Sequence, residues 1–191
     1  MIVTDIRSFE CEKTQKELIE RSEERFLCQM KAAVEKIVSK ADRIIFLSGP
    51  SCSGKTTSGR ILCDEFERQG KKVKEISIDD FFYGKAESER IARQKGTKVD
   101  LESVAAIDLE YFQKVGQGIL KNEKVLLPKF DFGTSRRSGY EPWTADEDTI
   151  VIFEGIQAIY PEVTQVFGTE QSMSLYIYPE SPVKVGEEVF A

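Results

Sequence analysis

Gly49-Pro50-Ser51-Cys52-Ser53-Gly54-Lys55-Thr56, with Thr57 next, decides the fold. It fits G-x-x-x-x-G-K-[ST] at every fixed position. A phosphate chain needs several backbone N–H groups turned into one concavity, and glycines permit that backbone path. The helix that follows presents its positive end to the anion. Lys55 can reach the β- and γ-phosphates, and the Thr56 hydroxyl can ligate Mg²⁺. Gly49, Ser51, Cys52, Ser53, Gly54, Lys55, Thr56 and Thr57 are therefore the candidate nucleotide-binding residues. Cys52 reads as a small residue filling a variable loop position. A thiol tuned by the helix end is the sharper alternative.

The flanks agree with this reading. Ile44-Ile45-Phe46-Leu47 is a short continuous apolar run, as expected of a parallel strand buried on both faces. A helix is expected from Lys55 to about Gln69, with Ile61, Leu62 and Phe66 inward and Gly70 as its cap. Val73–Ile78 is the next strand. Strand, Gly-rich loop, helix and strand open an α/β domain. Further on, helical spacing covers 102–121 (Leu109, Phe112, Val115, Ile119). Strands are expected at 125–127, 150–153 and 175–177. Residues 79–100 and 128–147 read as long polar loops, and loops of such length are usually functional. Upstream, residues 12–40 form one amphipathic helix with Ile19, Phe26, Met30, Ala33, Val34 and Ile37 on its inner face.

Composition narrows the chemistry. The 191 residues carry 27 Lys+Arg, 33 Asp+Glu and no histidine, a net charge of −6. Without histidine there is no Ser-His-Asp or Cys-His nucleophile, no His metal ligand and no His proton shuttle. An acidic chain argues against nucleic-acid or anionic-membrane binding. Cysteines 11, 28, 52 and 63 have no C-x-x-C spacing and read as free thiols of a reducing compartment. The N-terminus lacks a secretory pattern, and no apolar stretch is long enough to span a bilayer. The expected location is the cytoplasm.

Two acidic positions follow strands. Asp79-Asp80 comes directly after 73–78, and Glu154 ends 150–153. In open parallel sheets, ligands sit at the carboxyl ends of strands. Asp79 could take a proton from an attacking hydroxyl and help hold Mg²⁺, with Glu154 in the metal's inner or outer shell. The pair Arg136-Arg137 is either a solvated loop feature or faces the reacting groups.

Four segments in order, GPSCSGKTT, ISIDDFFYGK, LPKFDFGTSRR and IVIFEGIQAIYP, closely resemble the uridine kinase/phosphoribulokinase-type P-loop kinases over roughly residues 42–178. Within that group the chain is most similar to the bacterial uridine-kinase-like branch, whose kinase domain follows a helical segment. The resemblance implies a P-loop NTPase three-layer α/β fold, a mostly parallel sheet flanked by helices. It implies a helical extension over 1–41 and a kinase domain over 42–191. It also implies ATP (or GTP) and Mg²⁺ as cofactors.

Residue by residue, Asp79 matches the catalytic base, and Thr56, Asp79 and Glu154 the metal site. Asp100 matches an acidic residue that binds ribose hydroxyls, and Tyr83 an aromatic of the substrate pocket. Phe130 and Arg137 match positions in the loop closing over the nucleoside. Lys55, Asp79 and Arg137 form the expected catalytic set. Two departures stand out. Ser135 and Phe130 replace a histidine and a tyrosine, and fewer hydrogen-bonding groups discriminate less between acceptors. No arginine follows Arg137, so the arginine-rich lid of the family is expected to be missing or truncated.

The expected activity is phosphoryl transfer to a small-molecule hydroxyl, with a nucleoside of the uridine or cytidine kind first. A nucleotide-binding regulatory module without catalysis is the alternative, as is a related kinase of pantothenate or a sugar phosphate. The expected partners are a small-molecule substrate and a nucleoside triphosphate, with no nucleic acid and no membrane. A homo-oligomer stays open.

Overall fold

A computed structural model describes residues 4–5, 12–168, 172–179, 183–185 and 188–190. The elements run β1 (Thr4–Asp5), α1 (Glu12–Lys40), β2 (Ile44–Ser48), α2 (Lys55–Arg68), β3 (Lys72–Ser77), a 3-10 turn Ile78–Phe81 and α3 (Lys85–Lys95). Next come a 3-10 turn Val104–Ala106, α4 (Leu109–Leu120), β4 (Lys124–Asp131), β5 (Arg136–Thr144) and β6 (Thr149–Glu154). A 3-10 turn Ile156–Ile159, α5 (Pro161–Thr164), β7 (Ser172–Tyr176), β8 (Val183–Val185) and β9 (Glu188–Phe190) follow.

The central sheet is parallel throughout, in the order β3-β6-β2-β7. The period-2 alternation of β2 sorts its side chains into two cores. Ile45 and Leu47 pack with Met30, Val34 and Ile37 of α1 and Leu62 and Phe66 of α2. Ile44 and Phe46 pack with Phe112, Val115 and Ile119 of α4, and with Phe153, Val163 and Phe167. Helices on both faces of a parallel sheet make the three-layer α/β P-loop architecture, with the long helix α1 first in line. β1, β8 and β9 form a separate small sheet, and β4 and β5 an antiparallel ribbon. Among the described residues, no helix is long and apolar enough to cross a membrane.

Several expectations need correction. Residues 79–100 are not an irregular connector, because α3 occupies Lys85–Lys95 and ends at Gly96 in the left-handed conformation, φ 65°. Its sequence is mostly polar, so its inward face is narrow, Ser88 and Ala92. Residues 128–147 are not a loop either. They continue β4, turn, and return as β5, with Phe130 opposite Arg137 and Val125 opposite Trp143. Helix α4 starts at Leu109 rather than 102, capped by Asp108, whose carboxylate accepts the Tyr111 N–H at 3.1 Å. Ile19 is not on an inner face, being 57 % exposed. The fully buried side chains of α1 begin at Met30, with Phe26 packed partly against the same core. Cys28, Cys52 and Cys63 are free thiols, and Cys11 lies outside the described residues.

Candidate active site

The phosphate loop joins β2 to α2, and two backbone demands shape it. Gly54 caps α2 at φ 90° and ψ 18°, in the left-handed region glycine tolerates. Gly49 meets a steric demand. A Cβ there would lie 2.2 Å from the Ile177 carbonyl oxygen and 2.7 Å from Ser53 Oγ. Ile177 N–H in turn donates to the Ser48 carbonyl at 2.7 Å. The loop's entry is thus gripped by the residue just after β7. Ser53 N–H donates to the Pro50 carbonyl, and Cys52 takes φ 62°. Lys55 Nζ donates to the Gly49 and Pro50 carbonyls, each at 2.8 Å.

The residues present fit a triphosphate. Among the described residues no side chain caps α2, and the Ser53 hydroxyl is buried without a partner. Such a hydroxyl beside uncapped helix N–H groups matches the chemistry of a phosphate oxygen. Ser51, Cys52, Thr56 and Thr57 are solvent-exposed on the loop and first turn of α2. Gly49→Ala tests the frame. The added methyl displaces either the loop or the β7 end, so ATP affinity by calorimetry is expected to fall at least about tenfold, about 1.4 kcal/mol. Gly70→Ala, at a helix end outside the loop, is the control.

The carboxylates converge on the same end of the sheet. Ser77 of β3 pairs in register with Glu154 of β6, which pairs with Leu47 of β2. Asp79 lies in the 3-10 turn directly after β3. Burial, then the neighbouring Glu154 and Asp80 charges, push its carboxyl up to about 6, with Lys55 opposing. Gly155 lets β6 leave past this turn. At φ 152°, a Cβ there would lie 3.1 Å from Ile78 Cβ and 3.7 Å from Asp79 Oδ1. No group of three His, Cys, Asp or Glu side chains among the described residues could hold a metal by itself. Two carboxylates with the Thr56 hydroxyl still suit Mg²⁺, which takes one or two carboxylates and fills its octahedron with phosphate oxygens and water.

The ribbon β4–β5 stands over this turn and is tied to it. Asp80 accepts the Phe130 N–H at 2.9 Å and pairs with Lys129 Nζ at 3.3 Å. Arg137 Nη2 donates to the Phe81 carbonyl at 3.1 Å and to Asp108 Oδ2 at 3.0 Å. Its guanidinium stacks on the Tyr111 ring, 5.1 Å from the centroid. Ser135, at φ 50°, accepts the Lys85 N–H through its carbonyl and turns its hydroxyl back to the Phe132 carbonyl. The rings of Phe82, Phe130 and Phe132 pack edge-on.

Tyr83, Phe130 and Arg137 therefore gather on the segment that carries Asp79. Burial and the Asp108 charge raise the Tyr83 phenol, with Arg137 opposing. Asp100 sits elsewhere. It is exposed, accepts the Glu102 N–H at 2.9 Å, and lines a separate cleft of about 210 Å³ with Ser88, Lys98 and Ser103.

Two residues of the site were not singled out by the sequence: Asp108 holds Arg137, and Tyr111 lies under it. Asp80 was quoted beside Asp79, but not as the anchor of the ribbon. An aspartate just before a helical run signals a cap, so Asp108 was legible in that one role. Its pairing with Arg137, across 29 positions, was not.

The family model of the phosphoribulokinase/uridine kinase family matches residues 44–187. No curated protein sequence matches the chain. Among solved structures, a candidate fructose transport system kinase from Silicibacter sp. TM1040 aligns at 20 % identity and TM-score 0.57, covering 76 % of this chain and 73 % of that one. A possible uridine kinase from Bacillus stearothermophilus aligns at 19 % identity and TM-score 0.58, covering 77 % and 78 %. A D-glycerate 3-kinase from Cryptococcus neoformans var. grubii aligns at 17 % identity and TM-score 0.53, covering 69 % and 52 %. At such identities these structures speak to the fold, and it is the fold assembled above. The family match spans most of the sequence, and the chain belongs to the phosphoribulokinase/uridine kinase family.

Proposed function

We propose that this kinase transfers the terminal phosphoryl group of ATP to a hydroxyl of a nucleoside, with Mg²⁺, in the cytoplasm. One observation carries the reading. A half-buried carboxylate with a raised affinity for protons, Asp79, shares its electrostatic surroundings with the phosphate-loop Lys55 and with Glu154. A base near neutral pKa beside a phosphate-binding ammonium is what hydroxyl phosphorylation requires.

In the proposed step the acceptor oxygen bonds to the γ-phosphorus as the bridge to the β-phosphate breaks. The hydroxyl proton passes to an Asp79 carboxylate oxygen, and ADP leaves with the bridging oxygen. Lys55 exchanges its loop carbonyls for phosphate oxygens and offsets their charge. The Thr56 hydroxyl, with Asp79 and Glu154 near it, would hold Mg²⁺, which would supply charge neutralisation and in-line orientation. Phe130 and Tyr83 present a partly apolar wall to a base or sugar, and Arg137 offers hydrogen bonds from the facing strand. Asp100 would join them as a sugar-hydroxyl ligand through movement of the 97–103 segment.

The test is ATP-dependent phosphorylation of a panel of nucleosides, sugar alcohols, pantothenate and sugar phosphates, read by product mass and ADP release. A phosphorylated nucleoside is expected, and Lys55→Ala is expected to abolish its formation. Turnover with every acceptor absent, or with none of them, defeats the reading.

A further inference from the structure

We propose that Asp108 is a specificity-determining positioning residue, which neutralises Arg137 and thereby confines the acceptor pocket to uncharged hydroxyl compounds. The inference rests on the kinase reading above and adds to it a reason for the acceptor's charge class.

The charge arrangement around the ribbon is the starting point. Arg137 is the basic residue of β5 that reaches the Asp79-bearing segment, through the Phe81 carbonyl. Left alone, it would be a fork suited to a carboxylate or phosphate. It is not alone. Asp108 Oδ2 lies 3.0 Å from Nη2, and both side chains are only 19 % exposed. An ion pair so far withdrawn from water is screened little by salt. The carboxylate already holds the position that an acceptor's anionic group would seek.

Asp108 is itself fixed twice more. Its Oδ1 accepts the Tyr111 N–H at the start of α4, and its own N–H donates to the Phe81 carbonyl at 2.9 Å. The arginine is therefore clamped by Asp108 on one edge, the Phe81 carbonyl on the same nitrogen, and the Tyr111 ring on one face. What remains is its Nε–H, a buried donor with no partner among the described residues, together with the Nη1 end of the fork. N–H groups on a guanidinium whose charge is already matched by Asp108 suit a neutral oxygen, such as a carbonyl or hydroxyl.

The surroundings repeat the pattern. Lys129, also on the ribbon, is paired with Asp80 at 3.3 Å. The cleft of about 330 Å³ beside Gly49, Pro50 and Ser51 is lined by Glu102, Ile156 and Tyr160 among others, and by no lysine or arginine. An anionic acceptor would meet carboxylates already matched to the local cations, and in the cleft Glu102, which has no cationic partner among the described residues.

The experiment compares uridine with D-glycerate as probes of neutral and anionic acceptors in the full chain with MgATP. Asp108→Asn keeps the α4 cap, since asparagine caps as well as aspartate, and removes the charge. Freed of its partner, Arg137 is expected to shift the glycerate-to-uridine ratio of kcat/KM upward at least about tenfold, mainly through a lower KM for glycerate. Asp108→Ser, which also caps, is expected to shift it the same way. Equal losses with both probes, or an unchanged ratio, overturn the proposal, because a purely structural role would move both alike. Calorimetry of D-glycerate with each variant supplies a readout independent of turnover. Tighter binding to Asp108→Asn than to wild type supports the role of Asp108 even if no acceptor is phosphorylated. In that event the kinase reading alone falls. Equal glycerate affinity counts against Asp108 itself.

Discussion

Asp79→Asn is expected to lower turnover about 10²–10⁴-fold, the usual worth of a positioned general base, and yet to make the protein more stable at pH 8. Both effects come from one carboxyl group. Burial and the charges of Glu154 and Asp80 lift its pKa from the ordinary 3.8 to about 6. The folded chain then binds that proton more tightly than the unfolded chain does. Stability therefore declines as pH rises from about 3.8 to about 6, and the loss persists at higher pH. Asparagine removes the ionisation and so the loss. Its gain in thermal midpoint should be full above about pH 6 and vanish near pH 3.8. In wild type, kcat/KM should climb with pH and level off above about 6, because the base works only when ionised. Thermal melts at pH 4 and pH 8, with initial rates across the same range, read both. An asparagine variant that melts alike to wild type at both pH values, or retains turnover, sinks this account of Asp79.

Phe112→Ala carries the largest expected loss of stability, about 3–5 kcal/mol for a fully buried ring. Phe112 has no exposed surface and sits where three parts of the fold meet. Its ring centroid lies 5.0 Å from Phe81, 5.2 Å from Phe153 and 6.0 Å from Phe167, edge-on to each. Removing it takes away one wall of the cage around Phe81, whose carbonyl receives both Arg137 and Asp108. A chain of this length should lose roughly 6–20 °C in midpoint. Phe132→Ala is the matched control, since that ring is 59 % exposed and should shift the midpoint little. A midpoint for Phe112→Ala within two or so degrees of wild type would falsify the packing argument.

The parts legible in the sequence are those whose cause is local. The strand-loop-helix at 44–69 is written in a buried apolar run, two glycines and a helix start. The acidic strand ends follow from the same runs. Helix α3 was hidden because KAESERIARQK has almost no apolar period, its register being held by Ser88, Ala92 and a bond from Lys85 N–H to the Ser135 carbonyl. Of the β4–β5 ribbon, the strand at 125–127 was legible, but the continuation of β4 past 127 and all of β5 were hidden, because that part leans on a turn rather than on the central sheet. Its prolines and charges suit an exposed edge, and its attachment runs through Asp80 and Arg137. Arg137 read as ambiguous, solvated or facing the reacting groups, and the ambiguity lay in its partner. No spacing rule links residue 137 to residue 108.

The grip of residue 177 on the loop entry bears on how this kinase comes into being. The phosphate-binding signature is made early in synthesis, but the backbone bond to Ser48 and the close approach to Gly49 come from a residue translated more than a hundred positions later. A nascent chain that already displays the whole motif still lacks one side of its frame. Nucleotide affinity is expected only once β7 has docked beside β2, so that ATP, if bound, would stabilise the finished sheet and not its precursors.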